Sequence, residues 1–291
     1  MADYKFPTEM VDLPSKGYFY VEGHPLSKGK VEVKYMTAKE EDILTSKSLI
    51  QQGTVIDVLL QSLIVDKSIK IDDMLIGDKN AIMVAARILG YGKEYEFTYD
   101  GIEQKTDLSV LEPNSVDLKK FTKGQNRFSF ELPNWKRQLE FKLLSGKDEK
   151  DIELELKARQ KVSKEQSSEL TTRLKTMILS VDGKSDKAHI NNFVDTEFLS
   201  VDSLAFRQHL TSITPDVDMT TTVIDSTGKE TEVTIPVTVR FFWPSTWIQT
   251  SNTWGNISVN ITLQRWIYIW WGLQSTHIPT NILLEKITDF L

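Results

Sequence analysis

The clearest local signal in the chain is a β-hairpin in residues 94–108, which read Glu94-Tyr95-Glu96-Phe97-Thr98-Tyr99-Asp100-Gly101-Ile102-Glu103-Gln104-Lys105-Thr106-Asp107-Leu108. The Asp100-Gly101 pair supplies the positive φ angles of a type I′ turn, and runs of strand-forming residues flank it. Helical patterns lie on both sides of this hairpin. The sequence therefore predicts an α+β protein in which helical bundles alternate with small antiparallel β-hairpins.

Residues 37–90, before the hairpin, carry the spacing of amphipathic helices. Thr37 and Glu40 match a capping box, which predicts a helix start. Asp78 is predicted to be the N-cap of a later helix, and Gly90 is predicted to end that helix. The apolar side chains expected on the buried faces of these helices are Ile43, Leu44, Leu49, Ile50, Ile56, Leu59, Leu60, Leu63, Ile82, Met83, Ala86 and Leu89.

The part of the chain after the hairpin repeats the alternation of strands and helices. Asp225-Ser226-Thr227-Gly228 is the expected turn of a second hairpin. Lys147–Lys164 is dense in alternating charge, which is typical of a solvated helix stabilised by pairs four residues apart. The remaining predicted elements are strands at Phe128–Leu132 and Leu139–Leu144, a helix at Glu169–Leu179, a helix opening at Asp202-Ser203, strands at Met219–Ile224 and Glu230–Trp243, and helices around Thr262–Gln274 and Asn281–Leu291.

Changes of composition and period divide the chain into four segments. Residues 1–36 are punctuated by Pro and Gly and are expected to form an extended N-terminal arm with short strands. Residues 37–145 and 146–244 are each predicted to be a helical unit followed by a hairpin. Residues 245–291 are predicted to be a Trp-rich, helical C-terminal segment. A distant duplication could relate the two helical units, but no repeat of individual residues supports it.

Composition excludes several classes of protein. The 291 residues have a formal net charge of −6, so the basic footprint of a nucleic-acid-binding protein is missing. The longest apolar run, Trp266–Leu273, covers eight residues, against about 20 needed to span a membrane. The N-terminus has no apolar signal-peptide core, and the chain has no cysteine. These features predict a cytosolic protein that contacts neither nucleic acid nor membrane.

Tryptophan is concentrated at the C-terminal end. The 51 residues Phe241–Leu291 hold six of the seven tryptophans and only four charged side chains. Such a segment must be covered, either by its own domain or by another chain, since Trp is enriched at the centre of protein interfaces. If a partner covers it, the expected anchors are an apolar helical face formed by Trp266, Ile267, Trp270 and Trp271.

A second candidate for partner binding is the aromatic cluster of Tyr18, Phe19 and Tyr20 in the N-terminal arm. Aromatic side chains provide a large contact area at low entropic cost. The cluster could dock onto a neighbouring chain or fold back onto its own chain as a strand. The sequence leaves both alternatives open.

No pattern of residues indicates catalysis. The histidines, His24, His189, His209 and His277, have no metal-ligand spacing with one another or with a carboxylate. Gly183-Lys184-Ser185 lacks the upstream glycine of a phosphate-binding loop, so we interpret it as a turn. The sequence therefore predicts no catalytic residue, no cofactor, no metal ion and no enzyme activity.

Several short strings, taken in their order, resemble one known family. The strings are Leu13-Pro14-Ser15-Lys16-Gly17, Tyr35-Met36-Thr37-Ala38-Lys39-Glu40-Glu41-Asp42-Ile43-Leu44-Thr45, Ile76-Gly77-Asp78-Lys79-Asn80-Ala81-Ile82, Arg87-Ile88-Leu89-Gly90-Tyr91-Gly92, Thr171-Thr172-Arg173-Leu174-Lys175 and Phe241-Phe242-Trp243-Pro244. Over about residues 7–244 the chain resembles the baseplate hub subunits and baseplate hub assembly chaperones of T-even-type bacteriophages. The specificity lies in the order of the strings, because no single one is diagnostic.

The resemblance implies a non-enzymatic role in phage tail assembly. Proteins of that family act while the central baseplate hub and the tape-measure protein are brought together. Hub and tape-measure proteins are therefore the expected partners, and self-association is left open. Assembly would take place in the host cytoplasm, and the protein could remain in the virion tail. The first alternative is a permanent structural subunit of the virion baseplate. A remote alternative is a baseplate-associated cell-wall hydrolase, although no carboxylate pair has the spacing it needs.

The chain departs from the family pattern at its two hairpin turns. Many members carry Cys-x-x-Cys pairs there, whereas these turns are Tyr99–Ile102 and Asp225–Gly228. Zinc cannot be held without thiolates or histidines. The hairpins are therefore expected to rely on turn chemistry and packing. The Trp-rich segment after Pro244 resembles the family only loosely.

Overall fold

A computed structural model of the chain describes residues 7–162, 168–237 and 239–242. Helices and small antiparallel sheets alternate along this part of the chain, so the predicted α+β class is confirmed. The helices predicted around residues 262–274 and 281–291 lie outside the described residues.

The N-terminal segment forms a two-stranded ribbon. Strand β1 (Thr8–Asp12) pairs antiparallel with β2 (Lys30–Lys34), as the expected short strands require. The loop between them is packed instead of extended. Gly17 has a φ of 73°, and a Cβ at this position would lie 2.5 Å from the carbonyl oxygen of Ser27. The extended arm that we expected is therefore wrong for this loop, which folds against the protein body.

Four helices follow the ribbon. They are α1 (Ala38–Leu44), α2 (Lys47–Gln52), α3 (Val55–Leu63) and α4 (Ile76–Tyr91). Glu40 accepts hydrogen bonds from the backbone N–H (3.0 Å) and the hydroxyl (2.5 Å) of Thr37, so the predicted helix start is confirmed. Of the twelve apolar side chains predicted to face the core, eight are buried. Ile43, Leu49, Ile50 and Leu89 are half-buried at its margin.

Both ends predicted for α4 are wrong. The helix begins at Ile76, so Asp78 lies inside the first turn instead of capping it. It also continues through Gly90 to Tyr91. Gly90 serves packing, because a Cβ there would lie 2.7 Å from the Cε of Met36.

The first hairpin has the predicted form. Strand β3 (Glu94–Tyr99) pairs with β4 (Ile102–Asp107), and Asp100 and Gly101 have φ angles of 49° and 77°. These positive angles are those that a type I′ turn requires. The local turn chemistry therefore determines this hairpin.

A three-stranded sheet lies in the middle of the chain. Strands β5 (Phe128–Glu131) and β6 (Gln138–Phe141) pair as expected, and β7 (Ile178–Val181) adds to the other side of β6. The helix predicted over Glu169–Leu179 includes Ile178. That helix ends at Met177, and the backbone N–H of Lys142 donates to the Met177 carbonyl (3.0 Å), which directs the chain into the sheet.

Four more α-helices and a second hairpin follow. They are α5 (Gly146–Val162), α6 (Glu169–Met177), α7 (Lys187–Asn192), α8 (Ser200–Ile213), β8 (Thr220–Ile224) and β9 (Glu230–Thr234). The strand predicted to reach Trp243 ends at Thr234, two residues before Pro236. The buried apolar side chains form one cluster that includes Leu13, Ile82, Phe141 and Phe206. The ribbon and both helical units thus share a core.

Arg173 joins α5 to α6. Its guanidinium donates to both carboxylate oxygens of Glu149 (2.9 and 3.1 Å) and to Glu169 (3.2 Å), which is 2% exposed. Removing the cation would leave a buried carboxylate unpaired. This ion pair is therefore a structural link between two helices.

Arg173→Met is expected to lower the free energy of unfolding by about 3–5 kcal/mol, because Glu169 stays buried without its cation. Urea denaturation measures the loss. The control is Arg159→Met, which removes an exposed pair with Glu155 and should cost at most about 0.5 kcal/mol. Equal losses in the two variants would contradict this role of Arg173.

Candidate interaction surface

Asp78 joins the N-terminal segment to α4. Its buried carboxylate accepts hydrogen bonds from the backbone N–H (2.9 Å) and the hydroxyl (2.6 Å) of Ser15 and from the hydroxyl of Tyr20 (2.6 Å). The Tyr20 hydroxyl in turn accepts from the N–H of Leu75, directly before α4 (2.9 Å). Burial raises the pKa of Asp78, while the three donors favour its anion. The carboxylate is therefore fully engaged in the fold.

Gly77 brings a second segment against the same turn of α4. A Cβ on Gly77 would lie 1.9 Å from the carbonyl oxygen of Pro215, so a larger residue would displace this segment. The side-chain amide of Asn80 donates to both carboxylate oxygens of Asp216 (3.0 and 3.2 Å). Burial raises the pKa of Asp216 to about 6, and the nearby charge of Asp78 contributes to the rise. The start of α4 is thus a joint between three segments.

Arg87 holds the backbone at Phe241 against the end of α4. Its guanidinium is buried and donates to the backbone carbonyls of Phe241 (2.7 Å), Gly92 (2.8 Å) and Glu94 (3.1 Å). The ring of Tyr95 lies 5.7 Å from the guanidinium carbon. One cation therefore ties the end of α4 and the start of β3 to the residues that precede the Trp-rich segment.

The aromatic cluster predicted to bind a partner is occupied within its own chain. Phe19 is 3% exposed and Tyr20 is 9% exposed. Phe19 packs edge-on against Phe121 and Phe128, with centroids 5.8 and 5.2 Å apart. Tyr18 is half-buried, and its hydroxyl donates to the Phe121 carbonyl (3.1 Å). The prediction that Phe19 and Tyr20 dock onto a neighbour is therefore wrong. The segment folds back onto its own chain, as a packed loop instead of a strand.

The other predicted anchors lie outside the described residues. They are Trp266, Ile267, Trp270 and Trp271. Their role in partner binding stays a prediction from composition.

The two hairpin turns, which carry no thiols, meet each other. The Asp100 carboxylate accepts from the backbone N–H of Ser226 (3.2 Å) and also from its hydroxyl. Further along the strands, the hydroxyls of Thr106 and Thr221 lie 3.0 Å apart. Within the described ranges, no group of three His, Asp or Glu side chains could hold a metal ion. Hydrogen bonds between the turns hold the hairpins together.

The ionisable groups around one surface depression are already engaged. This depression of about 440 Å³ is lined by Thr8, Glu32, Lys34, Ser62, Ile64, Val65 and Lys67. Lys34 pairs with Glu40 (2.7 Å), and the Lys67 ammonium donates to the Ile64 carbonyl (2.5 Å). Glu32 accepts from the Thr8 hydroxyl (2.7 Å). Each of these three ionisable groups therefore already has a partner within the protein.

Trp135 is an exposed aromatic side chain that no sequence pattern predicted. Asp202 of α8 accepts from the backbone N–H (2.9 Å) and the side chain (2.9 Å) of Asn134 and from the N–H of Trp135 (3.2 Å). Trp135 is 40% exposed, and the centroid of its ring lies 5.0 Å from the guanidinium carbon of Arg137 and 6.5 Å from the ring of Phe193. The sequence signal that could have identified this exposed side chain is a lone Trp in a polar turn after a proline. No helix in the described part of the chain is long and apolar enough to cross a bilayer.

Tyr20→Phe should lower the free energy of unfolding by about 1–3 kcal/mol, because Asp78 loses a donor and the Leu75 N–H loses its acceptor in the core. Tyr18→Phe is the matched control, with an expected loss under about 1 kcal/mol, since its partner carbonyl is only half-buried. Chemical denaturation of both variants provides the comparison. A larger loss for Tyr18→Phe would contradict the Asp78 joint.

Asp216→Asn should change how stability depends on pH. The folded-state pKa of about 6 lies above the ordinary value of 3.8, so the native protein binds more protons between these values and loses stability as pH rises. Above pH 6 the ionised, half-buried carboxylate of Asp216 costs about 3 kcal/mol. The variant should therefore gain about that much relative to the wild type between pH 4 and pH 7. The measurement is the free energy of unfolding of both proteins by urea denaturation from pH 4 to pH 7. Parallel curves against pH for the variant and the wild type would disprove this contribution of Asp216.

No protein-family model, curated protein or solved structure matches this chain.

Proposed function

We propose that this chain is a non-enzymatic phage tail assembly protein. In this role it binds hub proteins, tape-measure proteins or both while the central baseplate hub is built in the host cytoplasm. The proposal rests on the family resemblance of the ordered sequence strings. The observation that favours it most is the position of these strings in the fold.

Strings that are far apart in sequence meet at buried joints. Leu13–Gly17 and Ile76–Ile82 meet where Ser15 donates to Asp78. Arg87–Gly92 meets the last string where Arg87 donates to the Phe241 carbonyl (2.7 Å). The strings that resemble the family therefore lie at joints of the scaffold. They support an architecture shared with the family more than a shared reaction.

The chemistry at the joints also favours binding over catalysis. General acids, bases and nucleophiles must reach a substrate. Asp78 and Arg87 are instead buried and surrounded by hydrogen-bond partners from the protein itself. A protein that works by contact needs a firm scaffold and an exposed surface, and this division suits a hub assembly protein.

The proposed anchors for partner binding are those in the Trp-rich segment, Trp266, Ile267, Trp270 and Trp271. The aromatic cluster of residues 18–20 is not proposed again, because its own chain covers it. Arg87 holds the Phe241 carbonyl, which precedes the Trp-rich segment in sequence, next to α4 and β3. Partner contacts made by this segment would thus follow, in sequence, a part of the chain that Arg87 holds firmly.

Trp266→Ala/Trp270→Ala should reduce co-purification with co-expressed tape-measure and hub proteins of the source phage at least about tenfold, because two central aromatic anchors are lost. Trp135→Ala is the control, since it removes an exposed Trp from the turn between β5 and β6. Urea denaturation should show that both variants fold. Retention of partners by the double variant, or equal loss in the control, would overturn these anchors.

Mass spectrometry of purified phage particles separates the two structural roles. A chaperone that leaves should be depleted relative to stoichiometric hub proteins, whereas a permanent subunit should match them. Failure of the wild-type chain to co-purify with any hub or tape-measure protein would overturn the proposed function itself.

A further inference from the structure

The second hairpin is covered on one side by the first. Val223 and Val233 are buried, and the Thr221 hydroxyl lies 3.0 Å from that of Thr106. The backbone carbonyl of Ile224, at the end of β8, accepts from the side-chain amide of Gln104 (2.8 Å). These contacts hold β8 against the first hairpin and leave β9 as the outer strand.

The outer edge of β9 has unpaired backbone groups. Bonds from Asp225 N–H to the Lys229 carbonyl (3.0 Å) and from Ile235 N–H to the Met219 carbonyl (2.8 Å) bracket the β8–β9 ladder. In an antiparallel pair, alternate residues face the partner strand. The N–H and C=O groups of Glu230, Glu232 and Thr234 therefore point away from β8, and the described residues provide no partner for them.

This edge lacks most of the features that protect edge strands. Such strands are commonly blocked by a bulge, a proline or a lysine. The register of β8 and β9 runs without a bulge from Thr220–Thr234 to Ile224–Glu230, and β9 contains neither proline nor lysine. Its only charged side chains are Glu230 and Glu232. Two copies of this edge would bring like charges together, which disfavours pairing with a second copy.

The charge of the hairpins indicates the kind of strand that fits. Residues 93–108 and 219–235 contain eight acidic side chains and three lysines, so they carry most of the net charge of −6 of the whole chain. On the first hairpin, Lys93 pairs with Asp107 and Lys105 with Glu94, both at 2.7 Å. Glu230 and Glu232 have no ion pair among the described residues.

We propose that the outer edge of β9 accepts an extended segment of a partner protein that carries Lys or Arg at alternate positions. The segment would add a strand to the hairpin through main-chain hydrogen bonds, and its basic side chains would pair with Glu230 and Glu232. The inference rests on the proposed assembly role for its biological setting. Peptides test the edge alone, so the two proposals can fail separately.

The probe is an eight-residue peptide of alternating Lys and Thr, added to the ¹⁵N-labelled full chain. At a free concentration about ten times its Kd, it should slow hydrogen exchange of the backbone amides of Glu230, Glu232 and Thr234 about tenfold. The amides of Thr231 and Val233, already paired with β8, should change little. A peptide of alternating Glu and Thr should have no effect. The Lys peptide with alternate amides N-methylated should likewise have no effect.

Glu230→Gln/Glu232→Gln should weaken binding of the Lys peptide about tenfold. Glu22→Gln/Asp151→Asn, two exposed carboxylates away from this hairpin, makes the same change in net charge and should leave the Kd within about twofold. The proposal is overturned if the control weakens binding equally, or if the N-methylated peptide protects the same amides. Protection that rises with protein concentration in the absence of peptide would show pairing with a second copy and would also overturn it.

Discussion

The carboxylate of Asp78 is the interaction on which the described fold most depends. It accepts from both Ser15 donors and from the hydroxyl of Tyr20, so it draws the loop between β1 and β2 onto the start of α4. A buried anion without a cation costs free energy unless donors surround it. Here the three donors come from the N-terminal segment. The anion and that segment therefore stabilise each other, and neither is well placed alone.

The other buried polar groups follow the same logic at other joints. Arg87 gathers three carbonyls, Arg173 holds two glutamates, and Asp202 holds the turn that contains Trp135. Each is a single charged group that binds segments distant in sequence. The surface, by contrast, carries the acidic hairpins and exposed apolar side chains. This separation between a hydrogen-bonded interior and a surface available for contact is what the proposed binding role requires.

Local chemistry made much of the fold predictable. The turn at Asp100-Gly101 and the capping pair of Thr37 and Glu40 act within a few residues, and both are present as expected. Non-local interactions account for the errors. Asp78 has the residue type of an N-cap, but its partners lie about 60 positions away in sequence. Strand β7 pairs with a strand about 40 residues earlier, which no local pattern at Ile178 reveals. Where Tyr18, Phe19 and Tyr20 pack could likewise not be read from their aromatic character alone.

A double-mutant cycle between Ser15 and Asp78 tests the central joint most directly. The free energy of unfolding would be measured for Ser15→Ala, Asp78→Ala and the double variant. Because the two side chains bond each other in the core, we predict a coupling energy of about 1–3 kcal/mol. Additive losses, within about 0.5 kcal/mol, would mean that the two residues act independently and would contradict the account.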